Sequence, residues 1–310
     1  MSAARIGFLG PAGTFSEQAL LSQKDLAAME LVDYSTIPDV LAATEAGEVD
    51  LGFVPIENSI EGTVNAALDV LALESELLIQ REVVINVQLN LLALPGVSIE
   101  EITAVAGFPV AMAQVRTWLR QNLPEAEVVA ANSNADAARL VQVRAERPLA
   151  AVSTALAAEL YGLEILAADV EDHPENQTRF VVVAREGIPA RTGHDKSTIV
   201  CFQRADQPGS LLSILEEFDV RDINLTKLES RPTKKGLGHY CFIIDLDGHV
   251  ADELVADALR GLKAKLADVK FLGSYPAHDE DAHEERHDAE AARKRADEWI
   301  TRLRSGIADR

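Results

Sequence analysis

Short apolar runs alternate with helical patterns between residues 5 and 185, and this alternation restricts the chain to few folds. Ile6–Leu9, Leu51–Val54 and Ala150–Val152 have the composition of buried strands, and Val83–Leu94 is a longer β-rich run. Strands that are apolar on both faces are usually covered by crossover helices in parallel sheets. The pattern therefore predicts α/β layers with mainly parallel strands.

A second region follows a stretch without periodicity at residues 187–196, which is interpreted as a linker. Residues 197–275 alternate in the order strand, helix, strand, strand, helix, strand, which predicts a ferredoxin-like βαββαβ domain of about 80 residues. In Tyr240–Asp247 one face is apolar and the other ends polar, which predicts helices on one side of the sheet. Residues 276–310 form a charged tail, either a solvated helical extension or partly disordered.

The charge balance narrows the choice of partners. The chain has 29 basic and 50 acidic residues, a net charge of −21, which disfavours binding to nucleic acid or anionic membranes. It contains no apolar run of roughly 20 residues that would span a bilayer. Cys201 and Cys241 are too few for a disulfide framework or a zinc site, and the residues before the first strand have no signal-peptide apolar core, so we expect no signal peptide. We expect a cytoplasmic protein without metal or cofactor.

A glycine-rich turn follows the first predicted strand. Gly10–Glu17 reads Gly-Pro-Ala-Gly-Thr-Phe-Ser-Glu, and Thr14 lies where a helix begins. Free N–H groups there favour a bound carboxylate or phosphate, although the segment is also compatible with a plain capped turn. A dinucleotide fingerprint with Asp33 as its acidic partner is a third interpretation, but the glycine spacing differs and Pro11 removes one N–H group.

A polar loop lies at the carboxyl end of the strand Leu51–Val54, where α/β sheets bind ligands. A capped helix start would account for Ser59 or Thr63 but not for the adjacent Glu57 and Asn58. The functional interpretation assigns to this loop a set of polar groups and one glycine: Glu57, Asn58, Ser59, Gly62 and Thr63.

A third polar segment, Glu175–Phe180, precedes the last strand of the first region. Thr178 and Arg179 are compatible with a hydroxyl donor beside an anion anchor. They are equally compatible with a polar turn that buries Phe180 and exposes Arg179. His173 is the only histidine before the linker, so a histidine-dependent nucleophilic triad is disfavoured and a reaction driven by positioning and electrostatics is favoured.

Together these segments resemble the motifs of the prephenate dehydratase family. The resemblance covers Gly10–Glu17, Val54–Gly62, Tyr161–Leu163 and Asn176–Phe180, in the family's order. In the second region, Pro208–Leu211 and Glu229–Pro232 resemble the phenylalanine-binding motifs of the ACT domain. The chain departs from many members at Gly107–Pro109, where they have Ser-His-Pro. Because the dehydratase motif begins at residue 7, we expect a monofunctional enzyme without the helical mutase domain that is fused ahead of some members.

The resemblance implies a catalytic domain at 1–186 with a two-lobed, periplasmic-binding-protein-like fold. One lobe would comprise residues 1–86 and 167–186, the other residues 87–166, with prephenate in the cleft between them. The reaction would release CO2 and the ring hydroxyl and form phenylpyruvate without a cofactor. The resemblance places catalysis at Thr178, Arg179 and Phe180, and substrate binding at Thr14, Glu57, Asn58, Ser59, Gly62, Thr63 and Gln114.

Regulation by phenylalanine is implied by the resemblance of residues 197–275 to an ACT domain. The implied effector residues are Gly209, Ser210, Leu211, Leu212, Asn224, Glu229, Ser230, Arg231 and Pro232. Such sites usually form between paired subunits, which implies a homo-oligomer, either a dimer or a tetramer. Two other classes stay open at this point: a solute-binding protein without turnover and a nicotinamide-dependent dehydrogenase.

Overall fold

The computed structural model of the chain describes residues 4–144, 148–204, 207–236, 238–278, 295 and 298–305. The chain forms two compact units, Met1–Ile188 and Pro189–Arg310. Residues 298–305 are helical, and most of the segment predicted as a charged tail lies outside the described residues.

The first unit contains eleven strands and eight α-helices among its described residues. In chain order they are β1 (Arg5–Leu9), α1 (Phe15–Leu21), α2 (Lys24–Ala27), β2 (Glu30–Tyr34), α3 (Ile37–Ala46), β3 (Leu51–Asn58), β4 (Gly62–Thr63), α4 (Asn65–Leu73), β5 (Leu78–Asn86), β6 (Asn90–Ala93), β7 (Ala104–Gly107), α5 (Pro109–Gln114), α6 (Arg116–Asn122), β8 (Glu127–Ala130), α7 (Asn134–Val143), β9 (Leu149–Ser153), α8 (Ala155–Tyr161), β10 (Glu164–Ala167) and β11 (Gln177–Ala184).

These strands form two sheets, one in each lobe. The sheet of lobe one has the order β2-β1-β3-β11-β5, with β4 added to β3, and the sheet of lobe two has the order β10-β6-β9-β7-β8. Each has its own apolar core, and Phe8, Phe53 and Phe180 are central to that of lobe one. The predicted two-lobed α/β architecture is confirmed.

The prediction of mainly parallel strands is wrong, because both sheets are mixed. The strand pairs β1–β2, β1–β3, β7–β8 and β7–β9 are parallel. In contrast, β11 runs antiparallel to both β3 and β5, and β6 runs antiparallel to β9 and β10. The physical reason is that the chain crosses between the lobes twice, so the strands that leave and re-enter each sheet run against their neighbours.

The crossings also divide elements that the sequence pattern joins. The β-rich run Val83–Leu94 is shared between β5 in one sheet and β6 in the other. The two crossover segments, residues 87–89 and 168–176, lie side by side. The Val87 N–H donates to the Asn176 carbonyl at 2.8 Å and the Val170 N–H to the Leu89 carbonyl at 2.8 Å. This paired ribbon connects the lobes.

The second unit has the predicted βαββαβ order, which confirms the ferredoxin-like fold. Its elements are β12 (Asp195–Phe202), α9 (Ser210–Asp219), β13 (Leu225–Pro232), β14 (Tyr240–Asp247), α10 (Glu253–Lys265) and β15 (Asp268–Pro276). The sheet order is β13-β14-β12-β15, and all pairs are antiparallel. The helices cover the face that carries Phe242, Ile244 and Leu246.

The opposite face of this sheet, which ends polar in the sequence pattern, is also buried. Cys241, Ile243 and Asp245 on that face are each at most 2% exposed. The Asp245 carboxylate accepts a hydrogen bond from the Thr198 hydroxyl at 2.7 Å, and Thr198 also bonds to the Tyr275 hydroxyl at 2.6 Å. These hydroxyls compensate for the removal of a carboxylate from water.

Candidate active site

The predicted site begins at an irregularity between β3 and β11. Arg179 pairs with Glu57, but the next residue, Phe180, pairs with Pro55, so Ile56 is an extra residue on β3. Proline cannot donate to a sheet ladder, and such β-bulges bend a strand and redirect its side chains. β1 pairs with β3 only as far as Phe53, so β3 is free to bend beyond that point.

A tight hairpin follows the bulge. Glu57 and Asn58 pair with Thr63 and Gly62, and the left-handed φ of +81° at Gly62 suits glycine. The Asn58 Oδ1 atom accepts hydrogen bonds from the Ile60 and Glu61 N–H groups, each at 3.0 Å. Asn58 therefore shapes the turn that displays Ser59 and Gly62.

The amide nitrogen of Asn58 points toward Thr178 and its neighbours. Its Nδ2 atom is 3.0 Å from the Thr178 Oγ1, 2.9 Å from the Asn176 Oδ1 and 3.0 Å from the Gln177 carbonyl. Ser59 adds a hydroxyl at 3.2 Å from the same Asn176 oxygen. The structure thus brings the adjacent residues Asn58 and Ser59 to Asn176 and Thr178, through hydrogen bonds between residues that are 117 to 120 positions apart in the chain.

Lobe two contributes Gln114 to this cluster. The Asn176 Nδ2 donates to the Gln114 Oε1 at 3.0 Å, and the Gln114 Nε2 lies 3.4 Å from the Glu61 carboxylate on the hairpin. Both Asn176 and Gln114 are buried. Asn176 is absent from the predicted substrate-binding and catalytic set; its place in the Asn176–Phe180 motif was the available signal.

Arg179 lies on the opposite face of β11 from Thr178, because side chains alternate along a strand. Its guanidinium donates from Nε to the Glu82 carboxylate at 2.6 Å and from NH1 to the Glu57 carboxylate at 3.4 Å. The Glu82 side chain is 1% exposed and that of Arg179 11%. Two carboxylates therefore neutralise the charge of Arg179. This geometry does not provide an anion anchor beside Thr178. The sequence patterns did not identify Glu82, although a carboxylate beside an apolar strand segment indicates a buried partner.

Phe180 lies in the core of lobe one rather than in the cleft. Its ring is 1% exposed and stacks on Phe53 with a centroid distance of 5.0 Å and an interplanar angle of 5°. A direct catalytic role for Phe180 therefore needs correction, since a ring packed inside the core does not reach substrate. The stack instead anchors the strand that carries Thr178.

The glycine-rich turn is a contact between the lobes. The Thr154 hydroxyl of lobe two donates to the Gly13 carbonyl at 2.7 Å, and the Tyr161 hydroxyl donates to the Ala12 carbonyl at 3.4 Å. Burial raises the pKa of Tyr161. The Gly13 N–H, an expected anion ligand, already donates to the Glu17 carboxylate at 2.6 Å. The Thr14 hydroxyl donates to the Leu9 carbonyl at the end of β1, at 3.3 Å, rather than to the Asn58 cluster.

The expected effector residues occupy two ends of the second unit. Gly209–Leu212 begins α9 at the end of the sheet where β12 finishes, and Arg231 and Pro232 finish β13 at that same end. Asn224 precedes β13 and donates to Asp247 at 3.0 Å at the other end. The strand between Asn224 and Pro232 spans roughly 25 Å. The side chains of Glu229 and Arg231 are partly buried, and the Glu229 Oε1 and Arg231 NH1 atoms are 3.8 Å apart. Leu212 is 60% exposed.

Among the described residues, no three His, Cys, Asp or Glu side chains form a group that could hold a metal ion. No helix in the described part of the chain is long and apolar enough to cross a bilayer. The fold and the site define a two-lobed α/β protein whose polar cluster joins the lobes, followed by a ferredoxin-like unit.

Comparison with known proteins identifies the family. The profile described as "Prephenate dehydratase" matches residues 6–188, and the profile described as "ACT domain" matches residues 197–264. A prephenate dehydratase of Mycolicibacterium vanbaalenii is 48% identical over 292 residues, which cover 88% of this chain and 91% of that protein. The chain belongs to the prephenate dehydratase family.

Two solved structures extend the comparison. The prephenate dehydratase of Arthrobacter aurescens in complex with L-Phe has a TM-score of 0.88 and 40% identity, over 98% of this chain and 100% of that one. GqqA, a quorum-quenching acylase, has a TM-score of 0.80 and 31% identity, over 88% of this chain and 98% of that one.

Proposed function

We propose that this chain converts prephenate to phenylpyruvate, CO2 and water, a carbon–oxygen lyase reaction of phenylalanine biosynthesis in the cytoplasm. Loss of the ring carboxylate as CO2 leaves its electron pair on the ring, the ring hydroxyl departs as hydroxide and takes up a proton from solvent to form water, and aromatisation drives the reaction. The protein then has to orient a dianion and assist a leaving hydroxide. Membership of the prephenate dehydratase family supports this proposal.

The observation that carries the mechanism is the environment of the Thr178 hydroxyl. Its oxygen accepts from the Asn58 amide, so its hydrogen is directed away from Asn58 and toward a ligand in the cleft. A threonine hydroxyl is a weak acid, so Thr178 acts by hydrogen bonding to the developing hydroxide rather than by releasing a free proton. Asn58, Ser59 and Gln114 hold Thr178 and the hairpin in place beside the substrate.

Arg179 and its carboxylate partners have a supporting role in this mechanism. Of the two roles considered for Arg179, a ligand for a substrate carboxylate or a determinant of local geometry, the ion pairs with Glu82 and Glu57 favour the second. Glu57 and Thr63 belong with this anchoring group. Thr14 and Gly62 act through the backbone turns that they form.

The test is incubation of the purified protein with prephenate, without added cofactor, with phenylpyruvate formation followed over time. Turnover supports the dehydratase, and binding without turnover supports the solute-binding alternative. Product formation only with a nicotinamide cofactor would support the dehydrogenase. A parallel assay with an acylated substrate tests the reaction of GqqA; activity there and none with prephenate would contradict the proposal.

We further propose that L-phenylalanine binds the second unit and inhibits the enzyme. The relative from Arthrobacter aurescens was solved in complex with L-Phe, and the ACT profile matches this unit. Because Asn224 and Gly209–Leu212 lie at opposite ends of one sheet, a site that uses both requires a second subunit. A dimer or a tetramer follows from this argument.

Two variants test the effector site. L212A should raise the phenylalanine concentration needed for half-inhibition, because Leu212 is exposed at the proposed site. V143A is the matched control, since Val143 is 68% exposed and lies in α7 of the first unit, away from the proposed effector residues. Equal inhibition of L212A and wild type would contradict this location, and a monomeric mass in light scattering would contradict the shared site.

A further inference from the structure

Asn176 is a buried amide at the junction of three segments. It is 1% exposed, it is the last residue of the second crossover segment, and it contacts both the hairpin of lobe one and helix α5 of lobe two. Its Oδ1 accepts hydrogen bonds from the Asn58 Nδ2 and the Ser59 hydroxyl, while its Nδ2 donates to the Gln114 Oε1. Every polar atom of the Asn176 side chain therefore has a partner.

The direction of these hydrogen bonds is determined at both ends of the cluster. At one end, the Ile60 and Glu61 N–H groups can only donate, so they must face the Asn58 Oδ1. The two hydrogens of the Asn58 Nδ2 then face the Asn176 Oδ1, the Thr178 Oγ1 and the Gln177 carbonyl, which share them. At the other end, the Glu61 carboxylate accepts from the Gln114 Nε2, which turns the Gln114 Oε1 toward Asn176. An amide at position 176 satisfies both ends at once.

We propose that Asn176 is a positioning residue that couples Gln114 of lobe two to the Thr178 hydroxyl. The Gln114 carbonyl orients the Asn176 amide, Asn176 holds the Asn58 amide, and Asn58 makes the Thr178 oxygen an acceptor, so that its hydrogen points to the substrate. The coupling is complete only when lobe two is in contact with lobe one. This inference rests on the proposed role of Thr178 in prephenate turnover.

The decisive variant is N176D, which is isosteric with the native side chain. Above the pKa of the introduced carboxyl, the variant keeps an acceptor for Asn58 and Ser59 but loses the donor to Gln114. We expect kcat to fall by about 100-fold with little change in KM, as for a misplaced catalytic group. As the pH falls, the carboxyl is protonated, and its O–H can donate to the Gln114 Oε1. The kcat ratio of N176D to wild type should therefore rise toward acid pH.

The ratio isolates this effect because the other titratable groups near position 176 are common to both proteins. They are Glu61 on the hairpin, Asp172, which caps α6, and the exposed pair His173 and Glu175 in the crossover segment. N86A is the control, because Asn86 is an exposed asparagine that accepts from the Gln177 side chain at 3.1 Å on a neighbouring strand. We expect its kcat to match wild type.

A double variant tests whether Asn176 acts through Thr178. N176A should lower kcat in the wild-type background and have no further effect in a T178A background, because coupled residues are not additive. A pH-independent ratio for N176D, or equal factors for N176A in both backgrounds, would overturn the inference. If T178A itself turns over prephenate normally, the proposed mechanism fails first, so the two failures are distinguishable.

Discussion

The two faces of β11 surround the neighbouring residues Thr178 and Arg179 with different chemical groups. On one face Thr178 lies among neutral amides, with Asn58, Asn176 and Gln114 linked by hydrogen bonds of 2.9 to 3.0 Å. On the other face Arg179 is held by two carboxylates, at 2.6 and 3.4 Å. Neutral amides orient a hydroxyl without competing for its proton, whereas ion pairs give a strong, directional anchor. One face therefore presents the reactive group and the other holds the strand.

The largest expected effect comes from removing the reactive hydroxyl. T178A should lower kcat by about 100- to 10,000-fold, the range for a positioned donor, while circular dichroism and thermal unfolding stay those of wild type. T178S keeps the hydroxyl and should retain most of the activity. Steady-state kinetics with prephenate measure both variants, and near-normal turnover by T178A would show that the amide face does not present a catalytic group.

Removing a carboxylate from the Arg179 face of β11 should lower the free energy of unfolding. E82A removes the carboxylate 2.6 Å from the Nε atom of Arg179, whose side chain is 11% exposed, and should cost about 3 kcal/mol of unfolding free energy. E30A removes the exposed pair Arg5–Glu30 and should cost less than about 1 kcal/mol. Urea unfolding measures the two. Similar small losses in both variants would mean that Glu82 does not anchor β11.

A substitution of Phe180 tests whether packing, as well as the ion pairs of Arg179, holds β11 in place. F180L removes the stack on Phe53 but keeps an apolar side chain, so it should cost about 1 to 2 kcal/mol of unfolding free energy. Measured well below its unfolding temperature, its kcat should stay close to that of wild type, because the ring lies in the core. A large loss of kcat at unchanged stability would return Phe180 to the catalytic group.

A carboxylate of the second unit extends the comparison to a more exposed ion pair. Glu217 on α9 is bonded to Lys265 and to Arg221, and the Lys265 hydrogen bond is the main cause that lowers the Glu217 pKa. A lowered folded-state pKa stabilises the protein above the unfolded value near 4.5, and this stabilisation is lost as the pH falls through the folded-state pKa.

E217Q should therefore be less stable than wild type at pH 7, by less than about 1 kcal/mol, because Lys265 is half exposed. The difference should disappear in acid, where the wild-type carboxyl is protonated as well. Thermal unfolding of both proteins between pH 3 and 7 measures this trend. A difference that grows on acidification would contradict the sign of the pKa change.

Local sequence patterns predicted most of the strands and helices but not how the strands pair in the sheets. Alternation along Tyr240–Asp247 and the helical periodicity after Gly209 were sufficient for the ferredoxin-like unit, because its strands pair in one sheet without leaving it. In the first unit the pattern missed β2, α3, β4 and β10, and it joined β5 to β6 in one run. Periodicity reports whether a residue is buried, and it does not report which sheet buries it.

By itself, the sequence determined the two-region organisation, the polar segments around Asn58 and Thr178, and the likeness to a family of known chemistry. Only the tertiary structure decided that Gln114 reaches Asn176 from the other lobe, that Glu82 holds Arg179, and that Phe180 packs on Phe53. The sheet bulge at Ile56 and the mixed strand directions belong to the same group. These features depend on pairing between segments from 62 to 127 residues apart. Such pairs are selected by strand register and by the double crossing of the chain, and neither leaves a local signature in the order of the residues.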